Sequence, residues 1–168
     1  MPGRILHLAT RHDLIREGPR GSAWFAHRGQ EGRLAGIEMR GPGWRGMAAG
    51  SDKTLFCLPG GSLSAPRLAV VEAPIDALSL ATLEGPRADT LYLATAGGIG
   101  PGTLQALLAS RVTDPAAELV AASDADPASV TQRRHHEHVL IVECRDRWIR
   151  TRTPIAPQPA IDGAVPGY

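Results

Sequence analysis

Leu68-Ala69-Val70-Val71-Glu72-Ala73-Pro74-Ile75-Asp76-Ala77-Leu78-Ser79-Leu80 reads as a strand, a sharp turn and the start of a helix. Leu68 to Val71 is a short β-prone run. Pro74 is tolerated in the first helical turn, where its missing N–H has no partner to lose. Ile75 to Leu83 then places apolar residues at helical spacing. Glu72 therefore stands at the carboxyl end of a strand.

The same pattern recurs downstream. Leu91 to Ala94 is a second strand, followed by the Gly-rich turn Gly97-Gly98, and Thr103 to Ser110 is a second helix. Leu119 to Ala122 is a third strand and runs into Ser123-Asp124-Ala125-Asp126. Strands alternating with helices predict an α/β unit with a parallel sheet and right-handed crossovers. The carboxyl ends of such strands share one edge, and ligands bind there. Glu72, Asp124 and Asp126 would make that edge an oxygen-rich pocket. Such a pocket suits Mg²⁺, which takes one or two carboxylates plus waters and substrate phosphates.

Upstream of this unit the texture differs. Residues 4 to 17 carry a partial apolar stripe and predict a short helix that stops at Gly18-Pro19. Residues 22 to 58 hold short β-prone pieces separated by glycines: Ala23 to His27, Leu34 to Arg40, Trp44 to Met47 and Thr54 to Leu58. That spacing predicts a small antiparallel meander, closed by the loop Pro59-Gly60-Gly61-Ser62. Beyond Pro127 the composition shifts to Arg, His and Pro. Val139 to Val142 offers one more strand, and the proline-bearing tail from Thr153 predicts poor order. The expected organisation is a helix plus β-meander over 1–62, an α/β domain over 63–145 and a tail over 146–168.

Bulk properties bound the function. The 168 residues fit one domain with a small attached piece. A net charge of +1 gives no global basic signature for nucleic acid. That argues against a tight, charge-driven DNA binder but not against an enzyme that touches nucleic acid locally. Lys53 is the only lysine, so arginine supplies nearly all the positive charge. Arginine suits phosphate through its bidentate fork, although a GC-rich genome produces the same bias. Cys57 and Cys144 form neither a metal spacing nor a disulfide framework, and a reduced compartment is the default. No apolar run approaches a membrane span, and Met1-Pro2-Gly3-Arg4 lacks the apolar core of a signal peptide. A cytoplasmic protein without a membrane partner is expected.

At Glu72, Asp124 and Asp126 the chain resembles the Toprim domain, the module shared by topoisomerases and bacterial-type primases. Val71 to Leu80 is similar to the form found in Toprim proteins of plasmids and other mobile elements. Residues 22 to 58, with the segment Arg45-Gly46-Met47-Ala48-Ala49-Gly50-Ser51-Asp52-Lys53, resemble the small domain of unknown function that often precedes it. The resemblance covers roughly residues 15 to 128. It implies a Rossmann-like Toprim sheet with flanking helices, behind a small β-rich region. Glu72 is then the general acid/base for phosphoryl transfer, with Asp124 and Asp126, joined by Glu72, holding Mg²⁺ or Mn²⁺. The physical logic is independent of the family. A metal stabilises charge on a phosphoryl group, and a carboxylate beside other carboxylates has a raised pKa suited to proton transfer.

The resemblance has departures. Ser129 stands where the family commonly has a glycine, and 130–168 does not read as the final helix and strand. An altered reading frame near Ser129 would account for the change. There is no zinc-binding Cys/His set at the N-terminus and no helicase P-loop.

Other signals are weaker. Asp76, one helical turn past Glu72, either supports the site or caps the helix. Gly97-Gly98-Ile99-Gly100-Pro101-Gly102-Thr103 lacks a following Gly-Lys-Ser/Thr, so it is not a P-loop. It reads first as a tight connection, with Gly97 and Gly98 shaping the rim of the metal site. His135, His136 and His138 are poorly spaced for one closed metal site. Trp24, Phe25, Trp44 and Phe56 are read as core rather than as base-stacking platforms.

The expected function is Mg²⁺-dependent nucleotidyl transfer or phosphodiester chemistry on nucleic acid, DNA ahead of RNA. It would be primase-like, with nucleotides as substrates and a replication helicase or polymerase as partner. A non-catalytic Toprim remnant that binds nucleic acid or docks a partner is the alternative. A small phosphohydrolase is a third reading, disfavoured because such enzymes carry a nucleophilic Asp where this chain has Glu72.

Overall fold

The computed structural model describes residues 2–29, 32–59, 65–85, 87–113 and 117–122. Helix α1 (Pro2–Arg11) leads into four antiparallel strands: β1 (Ile15–Gly18), β2 (Ser22–Arg28), β3 (Leu34–Gly41) and β4 (Trp44–Met47). They lie in the order β1-β2-β3-β4. The helix expected over 4–17 thus ends at Arg11. Asp13 takes a left-handed conformation at φ +52°, and the Leu14 amide bonds back to the Ala9 carbonyl at 2.9 Å. From Ile15 the chain pairs with β2, so tertiary pairing overrides the local helical stripe.

A second sheet contains β5 (Phe56–Leu58), β6 (Arg67–Val71), β7 (Thr90–Ala94) and β8 (Glu118–Ala121) in the order β5-β7-β6-β8. Helix α2 (Pro74–Glu84) connects β6 to β7, and α3 (Pro101–Thr113) connects β7 to β8. Strands β6, β7 and β8 run parallel, as the alternation predicts, and β5 is antiparallel to β7. Here the sequence expectation needs correcting. The piece Thr54 to Leu58 does not complete the meander but joins the edge of the parallel sheet. Phe56, Cys57 and Leu58 are all buried, as a strand covered on both faces requires.

Alternation along β6 divides the core. Ala69 and Val71 face one cluster with Ile5, Ala9, Leu78 and Ala81, which places α1 and α2 on that side. Leu68 and Val70 face a second cluster with Leu107 of α3, Leu91 and Leu119. Burial pushes the Cys57 thiol up to about 12, so it is an inert core residue. Of the four aromatics read as core, Phe25 and Phe56 are buried. Trp24 is only half-buried, and Trp44 is 48% exposed. Each indole lies instead against a glycine, Trp24 on Gly18 and Trp44 on Gly41, where a Cβ would collide with it.

Among the described residues, several contacts join the sheets. The Phe25 and Phe56 rings meet edge-on at 6.0 Å and 84°. The Arg28 amide bonds to the Leu55 carbonyl at 3.4 Å, bridging β2 to the approach of β5.

The amino-terminal edge of the parallel strands is clasped by polar groups. The Arg67 guanidinium donates to both oxygens of Glu84, at 2.8 and 2.9 Å, and the Tyr92 hydroxyl donates to Glu84 Oε2 at 2.8 Å. Burial raises the Tyr92 phenol, and the hydrogen bond and charge of Glu84 raise it further. The folded state therefore holds this proton more tightly than the unfolded chain. The resulting stability is fully present below the unfolded tyrosine value of about 10 and is lost as pH rises past it. Urea unfolding across that range is expected to show a decline in stability that Tyr92→Phe flattens.

Candidate active site

The carboxyl edge of the parallel strands is built around Glu72. Its carbonyl accepts the Gly97 amide at 3.0 Å and the Thr95 hydroxyl at 3.4 Å, while the Val71 carbonyl accepts the Thr95 amide at 3.2 Å. These bonds tie the end of β6 to the turn after β7. That turn carries three successive positive φ values: Ala96 at +55°, Gly97 at +77° and Gly98 at +145°. Glycine meets the last two without strain, whereas Ala96 pays a steric penalty of the kind that collects at functional sites. Lys53 approaches the same turn. Its Nζ would lie 3.8 Å from a Cβ placed on Gly98.

Asp76 caps the helix, one of the two roles considered for it. Its Oδ2 accepts the Ala73 amide at 3.0 Å, closing one half of a capping box at the start of α2. It also lines a cleft with Glu72, Ala73, Ala96 and Gly97. Gly98 is not among the cleft's lining residues. Asp124 and Asp126 lie outside the described residues, as do Ser129, His135, His136, His138 and Cys144. The last described residues before the pair are in register with the site, because the Ala122 amide bonds to the Val70 carbonyl at 2.8 Å.

The opposite wall of this cleft, about 420 Å³ in volume, comes from the N-terminal sheet and was not singled out from sequence. Glu38 and Arg40 on β3 and Arg45 and Met47 on β4 line it. Strand parity puts residues 38 and 40 on one face. The two-residue turn Pro42-Gly43 then sets the register that pairs Arg40 directly with Arg45. Two like charges directly opposite each other are unfavourable unless something negative joins them. Glu38 supplies part of that. Its Oε1 accepts Arg40 Nε at 2.8 Å, and its Oε2 lies 3.6 Å from His27 Nε2, within ion-pair reach but longer than a hydrogen bond. Burial pushes the Glu38 carboxyl up, but His27 and Arg40 together outweigh it and hold the group below its ordinary value.

The carboxylates present are hard oxygen donors, and neither imidazole nor thiol lines the cleft. That donor chemistry fits Mg²⁺ or Mn²⁺. Glu72 and Asp76 are too few to form a cage, and among the described residues no group of three ligating side chains is placed to hold a metal.

A family model described as Toprim-like matches residues 69–151. The chain carries a Toprim-like domain. A family model described as a protein of unknown function, DUF3991, matches residues 1–62 ahead of it. Two solved structures share the fold of this Toprim-like protein. One is the primase fragment of the bacteriophage T7 primase-helicase, with TM-score 0.54 and 16% identity, over 87% of this chain and 59% of that one. The other is the bacteriophage T7 lagging-strand DNA polymerase interacting with primase domains bound to an RNA/DNA hybrid and dTTP. It gives TM-score 0.51 and 15% identity, over 79% of this chain and 68% of that one. No curated protein matches the chain. Among the described residues no helix is long and apolar enough to cross a membrane.

Removing the Asp76 carboxylate leaves the Ala73 amide without its cap. Asp76→Ala is expected to lower stability by about 1 kcal/mol in urea unfolding.

Proposed function

We propose that the Toprim-like domain carries out Mg²⁺-dependent nucleotidyl transfer or phosphodiester chemistry on nucleic acid, in the manner of a DNA primase. The observation that supports this most is the cleft itself. Glu72 and Asp76 line the same opening as Arg40 and Arg45. The carboxylates suit a metal, and the guanidinium groups suit phosphate oxygens. A phosphodiester or triphosphate needs both.

In this reading Glu72 is the general acid/base. Asp124 and Asp126, which follow β8 in the sequence, are metal ligands with Glu72. The metal, when bound, supplies charge stabilisation at the phosphoryl group and orients the nucleophile. Arg40 and Arg45 hold the phosphate against that side of the cleft. Asp76 fixes the start of α2 and with it the backbone that follows Glu72, while Gly97 keeps the rim low enough for a substrate strand. Nucleotides are the co-substrates and DNA is the preferred strand. A replication helicase or polymerase completes the activity, in the cytoplasm and in the replication or transfer of a plasmid or mobile element.

The test is primer synthesis and strand nicking on single-stranded DNA with Mg²⁺ or Mn²⁺. Glu72→Gln and the double variant Asp124→Asn/Asp126→Asn are compared with the wild type. Activity in the wild type that falls by roughly 100-fold or more in Glu72→Gln is expected of a general acid/base. Calorimetric metal binding that disappears in the double variant places the ion. A folded wild type that binds single-stranded DNA but neither metal nor nucleotide moves the assignment to a non-catalytic binding module.

A further inference from the structure

The pairing of Arg40 with Arg45 leaves a question about Glu38. A carboxylate at the back of a cleft that receives phosphate opposes the ligand by its charge. Yet Glu38 is buried in the middle of β3, with 6% of its side chain exposed, and lines the cleft beside both arginines. Placing a charge there is costly unless it is paired. Its position is enforced from every side of the sheet. Phe25 is its cross-strand partner on β2 and Met47 its partner on β4. His27, fully buried, stands at 3.6 Å from Oε2. Neither ring nitrogen of His27 nor Oε2 of Glu38 has a hydrogen-bond partner among the described residues. The pair is therefore poorly explained as a contribution to stability alone.

We propose that Glu38, backed by His27, is a positioning residue that aims Arg40 into the cleft. The inference rests on the reading that the cleft takes phosphate. Glu38 engages Arg40 through Nε alone, at 2.8 Å. A guanidinium has five N–H donors in a fixed plane. Holding Nε fixes that plane and leaves the two Nη groups for a phosphate. With 27% of its side chain exposed, Arg40 remains reachable from the solvent. Without the anchor the side chain is free to swing away from Arg45, which its charge repels. A long, mobile arginine also loses more freedom on binding than a fixed one.

Charge and position predict opposite signs, which makes the inference testable. By charge alone, removing Glu38 strengthens anion binding. By positioning, it weakens binding. The experiment is fluorescence anisotropy of a labelled single-stranded oligodeoxynucleotide with Mg²⁺. It is titrated with the full chain as wild type, Arg40→Ala, Glu38→Gln, Glu38→Leu and Arg40→Ala/Glu38→Leu, each checked for folding by circular dichroism. Arg40→Ala is expected to weaken binding about tenfold, the scale of one charge-assisted hydrogen bond. Glu38→Leu matches that loss, and the double variant binds no more weakly than Arg40→Ala, because Glu38 acts only through Arg40. Glu38→Gln, which keeps an acceptor for Nε, falls between wild type and Glu38→Leu and decides the matter if the leucine variant does not fold. Glu38 variants that bind as tightly as wild type or tighter overturn the positioning role. So does a double variant that loses the product of the two single effects. A wild type that binds no oligonucleotide overturns the phosphate reading of the cleft and this inference with it.

Discussion

The edge-on contact of Phe25 with Phe56 is the joint on which the cleft depends. Phe25 belongs to the antiparallel sheet and Phe56 to the parallel one, and both are fully buried. Glu72 is fixed to the second sheet by its own backbone, and Arg40 and Arg45 to the first by strand register. Neither sheet alone presents both Glu72 and the two arginines to the same opening. Loosening this aromatic joint would leave both sheets recognisable and separate the two halves of the site. The energy of one such ring pair beyond simple burial is only about 0.5–1.5 kcal/mol. The bridge from Arg28 to Leu55 and the shared cluster of Ile5, Leu14, Phe25 and Phe56 reinforce it.

The parallel sheet was legible because its strands are short apolar runs with turn residues at their carboxyl ends. Val71 followed by Glu72, Ala94 followed by the Gly97-Gly98 turn, and Ala121 at the end of β8 fall close to where the sequence puts them. The first helix was over-extended because Leu14 and Ile15 continue its apolar stripe. They are apolar for a different reason: Leu14 enters the core and Ile15 begins a strand opposite Phe25. Thr54 to Leu58 resembles its neighbours in composition, and only the pairing of Phe56 with Ala94 assigns it to the other sheet. Such pairings across long stretches of chain have no local signal.

Half of the cleft was legible for the same reason. Glu72 stands out because a charged residue ends an apolar strand. Arg40 and Arg45 do not, since arginines are common along this chain. The information was nevertheless present. Pro42-Gly43, with Gly43 at φ +78°, is a two-residue turn that fixes which residues of β3 and β4 oppose each other. Reading that turn first would have paired the two arginines. Their position opposite Glu72 would still have required the packing of one sheet on the other.

Lys53 has a practical consequence beyond the chemistry of the cleft. Apart from the chain's amino terminus, it is the only primary amine in the protein. Its ammonium group lies against Gly98, in the strained turn that also anchors the Glu72 carbonyl through Gly97. An amine-directed reporter, or an acyl group transferred by cellular chemistry, therefore has one internal address, beside the carboxyl edge of the parallel strands and away from the clasp at the other end of the sheet.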